Sequence, residues 1–192
     1  LPCFNNCGNL KSIKIGGKDN FTPSFSSPSN YSTLNGVLFN SDKTQLKKYP
    51  EGKNDELFKV PQTVSKLDNG CFANTKNLAI QFFGAAPEIH ENAFVNSTAV
   101  VYYPKGAEGW PDFDGGYFDE WGVMAYPIGE QDYVTEDGVI LRFHKENSSV
   151  NSSVTIDNVI YIPHESCTIP STIGGYPVTS IGDFAFSGWS GL

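Results

Sequence analysis

The sequence is short of what helical, metal-binding, membrane-spanning and nucleic-acid-binding proteins each depend on. It holds one Met in 192 residues, the other strong helix formers are sparse, and no capped periodic segment exceeds about ten residues. Long helices are therefore not expected. No run reaches the roughly 18 apolar residues that a bilayer-spanning helix requires. The four cysteines, Cys3, Cys7, Cys71 and Cys167, allow three pairings but fit no zinc spacing, because Cys-x3-Cys replaces Cys-x2-Cys and no second cluster follows. Cations are also few, 13 Lys and Arg against 21 Asp and Glu for a net charge of −8, which argues against a whole-surface grip on nucleic acid or anionic lipid. Gly16-Gly17-Lys18 is followed by Asp19 instead of Ser or Thr, so a phosphate cradle has no support.

What is plentiful is turn and strand material. With 19 Gly, 12 Pro and 14% aromatic residues, the composition favours short strands joined by tight turns. The length accommodates one domain or two small ones.

The chain repeats itself. A tetrapeptide of form apolar-x-apolar-Pro occurs at Phe58-Lys59-Val60-Pro61, Val101-Tyr102-Tyr103-Pro104, Met124-Ala125-Tyr126-Pro127, Ile160-Tyr161-Ile162-Pro163 and Cys167-Thr168-Ile169-Pro170, with a weaker copy at Lys47-Lys48-Tyr49-Pro50. Alternation ended by Pro is what a very short strand entering a turn needs: two side chains point in, one points out, and Pro stops the ladder. A second element, a small residue followed by Phe, occurs at Cys3-Phe4, Cys71-Phe72, Ala93-Phe94 and Ala185-Phe186. The Phe-to-Phe steps are 68, 22 and 92, consistent with a unit near 22 or 23 residues. From Phe4 to Ile15 the apolar spacing reads as an L-x-x-I-x-I repeat.

These stretches resemble the BspA-like leucine-rich repeat proteins of bacterial and some protist cell surfaces. The closest copy runs from Ile169 to Leu192, through Ile181-Gly-Asp-Phe-Ala-Phe186; Val60 to Phe72, Tyr31 to Pro50 and Ala86 to Phe94 are further copies. Thr75 and Trp189 depart from the resemblance, standing where that family usually has Cys, and residues 16 to 30 are an irregular Gly, Ser and Pro-rich insertion. The resemblance implies a mainly β, leucine-rich-repeat-type solenoid with short parallel strands, a convex side of loops and turns, and few or no long helices. It further implies a chain cut inside repeats at both ends, a fragment of something longer.

Residues 1 to 127 read as one array, and residues 128 to 192 as a connector, a hairpin region and the start of a second array. Asp137-Gly138 is a strong turn between Tyr133-Val134 and Val139-Ile140-Leu141, and Asn147 to Ser153 reads as a polar loop.

No constellation promises chemistry. His164 and Cys167 point to opposite faces of an extended segment, and Cys167 holds an inward strand position, so a packed thiol is expected there. Gly188-Trp189-Ser190-Gly191 is one residue short of a nucleophile elbow. Asp112 and Asp114 open a calcium-like loop, but Gly116, Tyr117 and Val123 occupy positions where oxygen, Gly and Glu are required. His90, between Glu88 and Glu91, reads as part of a turn. Sequons at Asn20, Asn30, Asn96, Asn147 and Asn151 matter only in a glycosylating host.

No catalytic residue, cofactor or metal is expected. Solenoids present extended faces suited to large partners, and the resemblance implies a secreted or cell-surface protein that adheres to host matrix proteins or other cells through a protein or glycan. The alternatives are a carbohydrate-binding accessory segment, on account of Trp110, Tyr117 and Trp121, or a structural spacer. If the middle residue of each short strand points outward, Lys14, Lys48, Lys59, Tyr102, Tyr161 and Thr168 form the docking row. Phe4, Phe72, Phe94 and Phe186 are expected as equivalent buried ladder positions.

Overall fold

The computed structural model describes residues 4, 6–15, 30–146, 152–163 and 165–189. Cys3, Gly16 to Lys18, His164 and Ser190 lie outside them, as do the sequons at Asn20, Asn147 and Asn151 and most of the 16–30 insertion. The chain divides into two compact units, Leu1–Pro127 and Ile128–Leu192. Among the described residues no α-helix occurs, so the fold is mainly β.

The first unit contains β1 (Tyr31–Leu34), β2 (Val37–Asn40), β3 (Gln45–Lys48), β4 (Leu57–Lys59), β5 (Lys66–Leu67), β6 (Ala79–Gln81), β7 (Glu88–Ile89), β8 (Val100–Pro104), β9 (Gly116–Phe118) and β10 (Val123–Ile128). Two ladders run through it. Strands β3, β5 and β7 pair in parallel on one side, and β4, β6 and β8 pair in parallel on the other. Each coil gives one short strand to each ladder, and successive coils hydrogen-bond between them as well: Tyr49 N donates to Cys71 O at 2.8 Å, Phe72 N to Ala93 O at 2.9 Å and Asn74 N to Val95 O at 3.1 Å. This is a β-solenoid of stacked parallel coils. Hairpin β1–β2 extends the first ladder and hairpin β9–β10 the second.

The core lies between the ladders. Phe58, Ile80 and Val101 are in register across β4, β6 and β8 and are buried. Phe72 and Phe94, at 0% and 3% exposure, stack with centroids 5.5 Å apart and planes 7° apart. Identical side chains one coil apart must land on each other, and here the 22-residue step becomes a physical contact. Phe4 and Phe186 are only partly buried, and Phe186 packs in the second unit against a separate core of Val139, Leu141, Ile156, Val159 and Ile162. They are not rungs of the Phe72–Phe94 ladder. A backbone feature nevertheless unites the four copies. The residue two beyond each Phe has positive φ: Asn6 at 59°, Asn74 at 60°, Asn96 at 56° and Gly188 at 91°. Asn and Gly tolerate that region best, which explains why Asn and Gly follow the Phe.

Two expectations are corrected. The side of the coil expected to hold only loops and turns carries the β3–β5–β7 ladder, because each coil has a second apolar alternation, as at Val64-Ser65-Lys66-Leu67. The tetrapeptides are likewise not all one kind of strand. Phe58-Lys59-Val60-Pro61 and Val101-Tyr102-Tyr103-Pro104 belong to the β4–β6–β8 sheet, Lys47-Lys48 to the other, and Cys167 to Pro170 form no strand.

The second unit contains β11 (Asp132–Val134), β12 (Ile140–Glu146), β13 (Ser153–Tyr161), β14 (Thr172–Ile173) and β15 (Tyr176–Ile181). Antiparallel β11–β12 turns through Gly138 at φ 79°, antiparallel β12–β13 follows, and β13 pairs in parallel with β15. Gly174 and Gly175, at φ 59° and 83°, close the β14–β15 hairpin with the double positive φ of a tight two-residue turn.

Candidate partner-binding surface

The expected docking row does not assemble. Lys14, Lys59 and Thr168 are exposed and Tyr161 is half-buried, but Lys48 and Tyr102 are buried at 4% and 0%. Lys48 shares the inward side of β3 with Leu46, two residues earlier. Its Nζ donates to Glu51 at 3.1 Å and to the carbonyl of Gly70 at 3.1 Å. Tyr102 is in register with Lys59 and Gln81 on the outer side of its sheet. Ala79 and Val100 lie on that same side and are buried too, so alternation away from the core does not lead to solvent there. Tyr161 and Thr168 belong to the second unit. Thr168 is fixed by its backbone N donating to Asp137 at 3.0 Å. Burial raises the Asp137 pKa, but hydrogen bonds from Thr135 and Thr168 outweigh it and hold the carboxyl below its usual range.

The open polar face lies on the other ladder. In β3, β5 and β7 the outward residues fall in two columns, Gln45–Lys66–Glu88 and Lys47–Asp68–His90. Opposite charges meet within them, Lys66 with Glu88 at 2.6 Å and Lys47 with Asp68 at 2.7 Å. Such a face is self-neutralised, and the water around Lys66 and Glu88 screens their attraction, so the pairs set the polarity of the face more than its stability. His90 accepts from Asn92 N at 3.1 Å through Nδ1, a turn role.

Apolar surface gathers instead at the corner of the coils and at the array's aromatic end. One groove of about 210 Å³ is walled by Val60, Pro61, Val64, Phe82, Phe83 and Pro87. A second of about 430 Å³ is walled by Pro87, Ile89, Trp110, Phe118, Glu120 and Trp121. Ala86 and Pro87 line both, so the two are adjacent lengths of one trough. Its far wall is rigid. Trp110 stacks on Tyr103 at 4.9 Å and meets Trp121 edge-on at 5.8 Å. Trp110 Nε1 donates to Gly84 O at 2.7 Å, and Tyr103 OH donates to Pro111 O at 3.2 Å. Burial, with Asp112 adding, pushes the Tyr103 hydroxyl up to about 12, so it remains a donor at neutral pH. Phe83 stands in the trough 44% exposed.

Trp110, Trp121 and the neighbouring Tyr117 were visible in the sequence as aromatic candidates. The structure makes Trp110 mostly wall, Trp121 partly accessible, and Tyr117 exposed at 63%. Phe83, Pro87 and Glu120 were not anticipated. The available signal was the Phe82-Phe83 doublet: two adjacent bulky apolar residues at a strand end cannot both face inward.

The Cys71 and Cys167 thiols are not activated. Burial raises the pKa of Cys71, with Asp68 adding to it, and burial with Asp137 raises that of Cys167, which keeps both protonated and weakly nucleophilic at neutral pH. Among the described residues no three His, Cys, Asp or Glu side chains converge as metal ligands, and no helix is long and apolar enough to cross a membrane. Asp114 lies 3.9 Å from Lys105. Comparison with protein-family models, with curated proteins and with solved structures gives no match to this chain.

Proposed function

We propose that this chain is a non-enzymatic binding module, a BspA-like, leucine-rich-repeat-type segment of a secreted or cell-surface protein that adheres to host matrix proteins or other cells. The observation that carries the reading is the trough from Val60 to Trp121, in which Pro, Phe and Trp side chains alternate with polar groups that include Gln62, Ser65 and Glu120. It is open along its length, walled by Pro, Phe and Trp, and contains one carboxylate, Glu120. Rigid aromatic and Pro walls hold an extended segment of a partner polypeptide with little ordering cost on the module's side. The polar columns of β3, β5 and β7 flank it as a hydrated face that resists sheet-to-sheet association. A second reading is favoured by Trp121 beside Glu120: an aromatic face next to a carboxylate suits a sugar ring, stacking on one side and hydrogen-bonded on the other. Nucleic acid and membrane insertion have no part in either reading.

The test is binding of the full chain to immobilised matrix proteins, in parallel with a glycan array, using Trp121→Ala. Protein binding that weakens tenfold or more with Trp121→Ala supports the first reading. Binding confined to glycans and lost with Trp121→Ala selects the second. Binding that ignores the substitution in both formats removes the trough from the account.

A further inference from the structure

Inside the first unit, two side chains that the trough does not involve converge on one oxygen atom of a third. Lys48 Nζ lies 3.1 Å from Glu51 Oε1, and Asn74 Nδ2 donates to the same Oε1 at 3.1 Å. The Lys48 and Glu51 side chains are 5% and 2% exposed. Lys48 Nζ also reaches Gly70 O at 3.1 Å and Ala73 O at 3.5 Å. An amine and a primary carboxamide on adjacent coils thus share one acceptor oxygen, with the Lys48 and Glu51 side chains buried and Asn74 half-buried.

We propose that Lys48 and Asn74 are the two ends of a self-formed amide cross-link, with Glu51 as the group that moves the protons. Glu51 Oε1 is within hydrogen-bond reach of both nitrogens and is therefore placed to take a proton from Nζ and hand one to Nδ2 as the amine attacks. The amine attacks Cγ of Asn74. The Nζ–Cγ bond forms, the Cγ–Nδ2 bond breaks, and Nδ2 departs with a proton that Glu51 relays from Nζ. In sum, an ammonium and a primary amide become a secondary amide and an ammonium ion, with no oxidant, reductant or water consumed. The reaction is negligible between free side chains, and proximity on a rigid scaffold is what lowers its barrier.

The next coil supplies an internal control. Tyr49 N bonds to Cys71 O just as Phe72 N bonds to Ala93 O, and Phe72 stacks on Phe94, so residue 49 lies over 72, residue 48 over 71 and residue 51 over 74. Asn96 repeats the left-handed turn of Asn74, at φ 56° against 60°, but the residues one coil before it in the places of Lys48 and Glu51 are Cys71 and Asn74. A turn that merely wants Asn does not require an amine and a buried acid beside it. At Asn74 both are present.

The experiment is intact mass spectrometry of the purified, denatured full chain, followed by peptide mapping. A mass below that of the sequence by about 17 Da, one ammonia, together with a branched peptide joining the Lys48 and Asn74 segments, is the expected result. Glu51→Gln should restore the mass calculated from its own sequence and yield two separate peptides. Asn74→Gly, which suits the left-handed turn and should fold, should do the same. Asn96→Gly should keep the ammonia loss. Wild-type chain at its full sequence mass, or an ammonia loss without the branched peptide, overturns the proposal. Cross-linking that persists in Glu51→Gln removes Glu51 from it.

Discussion

Phe72 is the side chain that most of the first core leans on: it contacts Tyr49, Phe58 and Phe94 at centroid distances of 5.7, 6.1 and 5.5 Å. Truncating it to Ala should cost about 3–5 kcal/mol in chemical denaturation, through lost burial plus the cavity left behind. Phe186→Ala should cost less, since that ring is only partly buried. Lys48 belongs to the same scale. Lys48→Ala removes both the partner that Glu51 faces and the proposed cross-link, so the variant should unfold at lower denaturant than the wild-type chain; an unchanged midpoint would show that neither contributes. The small-Phe motif was legible because each copy carries its own spacing. The inward turn of Lys48 was not, because Lys47-Lys48-Tyr49-Pro50 imitates a strand motif of the opposite sheet. Parity alone cannot say which of two ladders a short strand joins.

Among the elements, the β1–β2 hairpin turns through Asn35 and Gly36, both at positive φ, 50° and 80°. A Cβ on Gly36 would lie 2.6 Å from Ser12 Oγ, and Gly36 O accepts from Ile13 N at 2.9 Å. Gly36→Ala therefore strains the turn and pushes away the N-terminal segment; a loss of about 1–2 kcal/mol is expected by thermal or urea unfolding. Asn-Gly is the strongest hairpin signal a sequence offers, yet the repeat reading absorbed these residues into an array copy. Asp137-Gly138, by contrast, was legible as a turn and is one.

The β12–β13 hairpin carries a pH dependence. His144 sits between Glu146 at 2.9 Å and Asp157 at 2.6 Å. The hydrogen bond to Glu146, then that to Asp157, raise its pKa, while His144 and then Thr155 lower that of Glu146. A raised histidine stabilises the fold below its unfolded value, about 6.5, and that contribution fades as pH rises through the folded value. A lowered glutamate contributes above its unfolded value and loses the contribution as pH falls through the folded one. The hairpin should hold best in mildly acidic solution, and His144→Gln should flatten the dependence. Amide exchange of β12 and β13 against pH measures it; a wild-type profile identical to the variant's would contradict the assignment.

At the scale of the molecule, the 22-residue step organises the first unit. Neighbouring coils share a core and a backbone ladder, so each coil is stabilised by the next. That the fold is a mainly β solenoid was legible in the sequence because a repeated pattern reports the same packing several times. The trough was not, since its walls come from coil corners, where alternation ends, and from the aromatic segment after β8. Phe83 belongs to no repeated motif, which is why it passed unnoticed.

Binding to the immobilised matrix proteins, compared between Phe83→Asp and Phe184→Asp, tests docking in the trough most directly. Both residues are exposed phenylalanines, at 44% and 86%, and both substitutions add one negative charge. Phe83 lies in the trough, whereas Phe184 lies in the second unit. Binding weakened at least about tenfold, or 1.4 kcal/mol, by Phe83→Asp and unchanged by Phe184→Asp is the predicted result. Equal affinity of the two variants and the wild-type chain would contradict it.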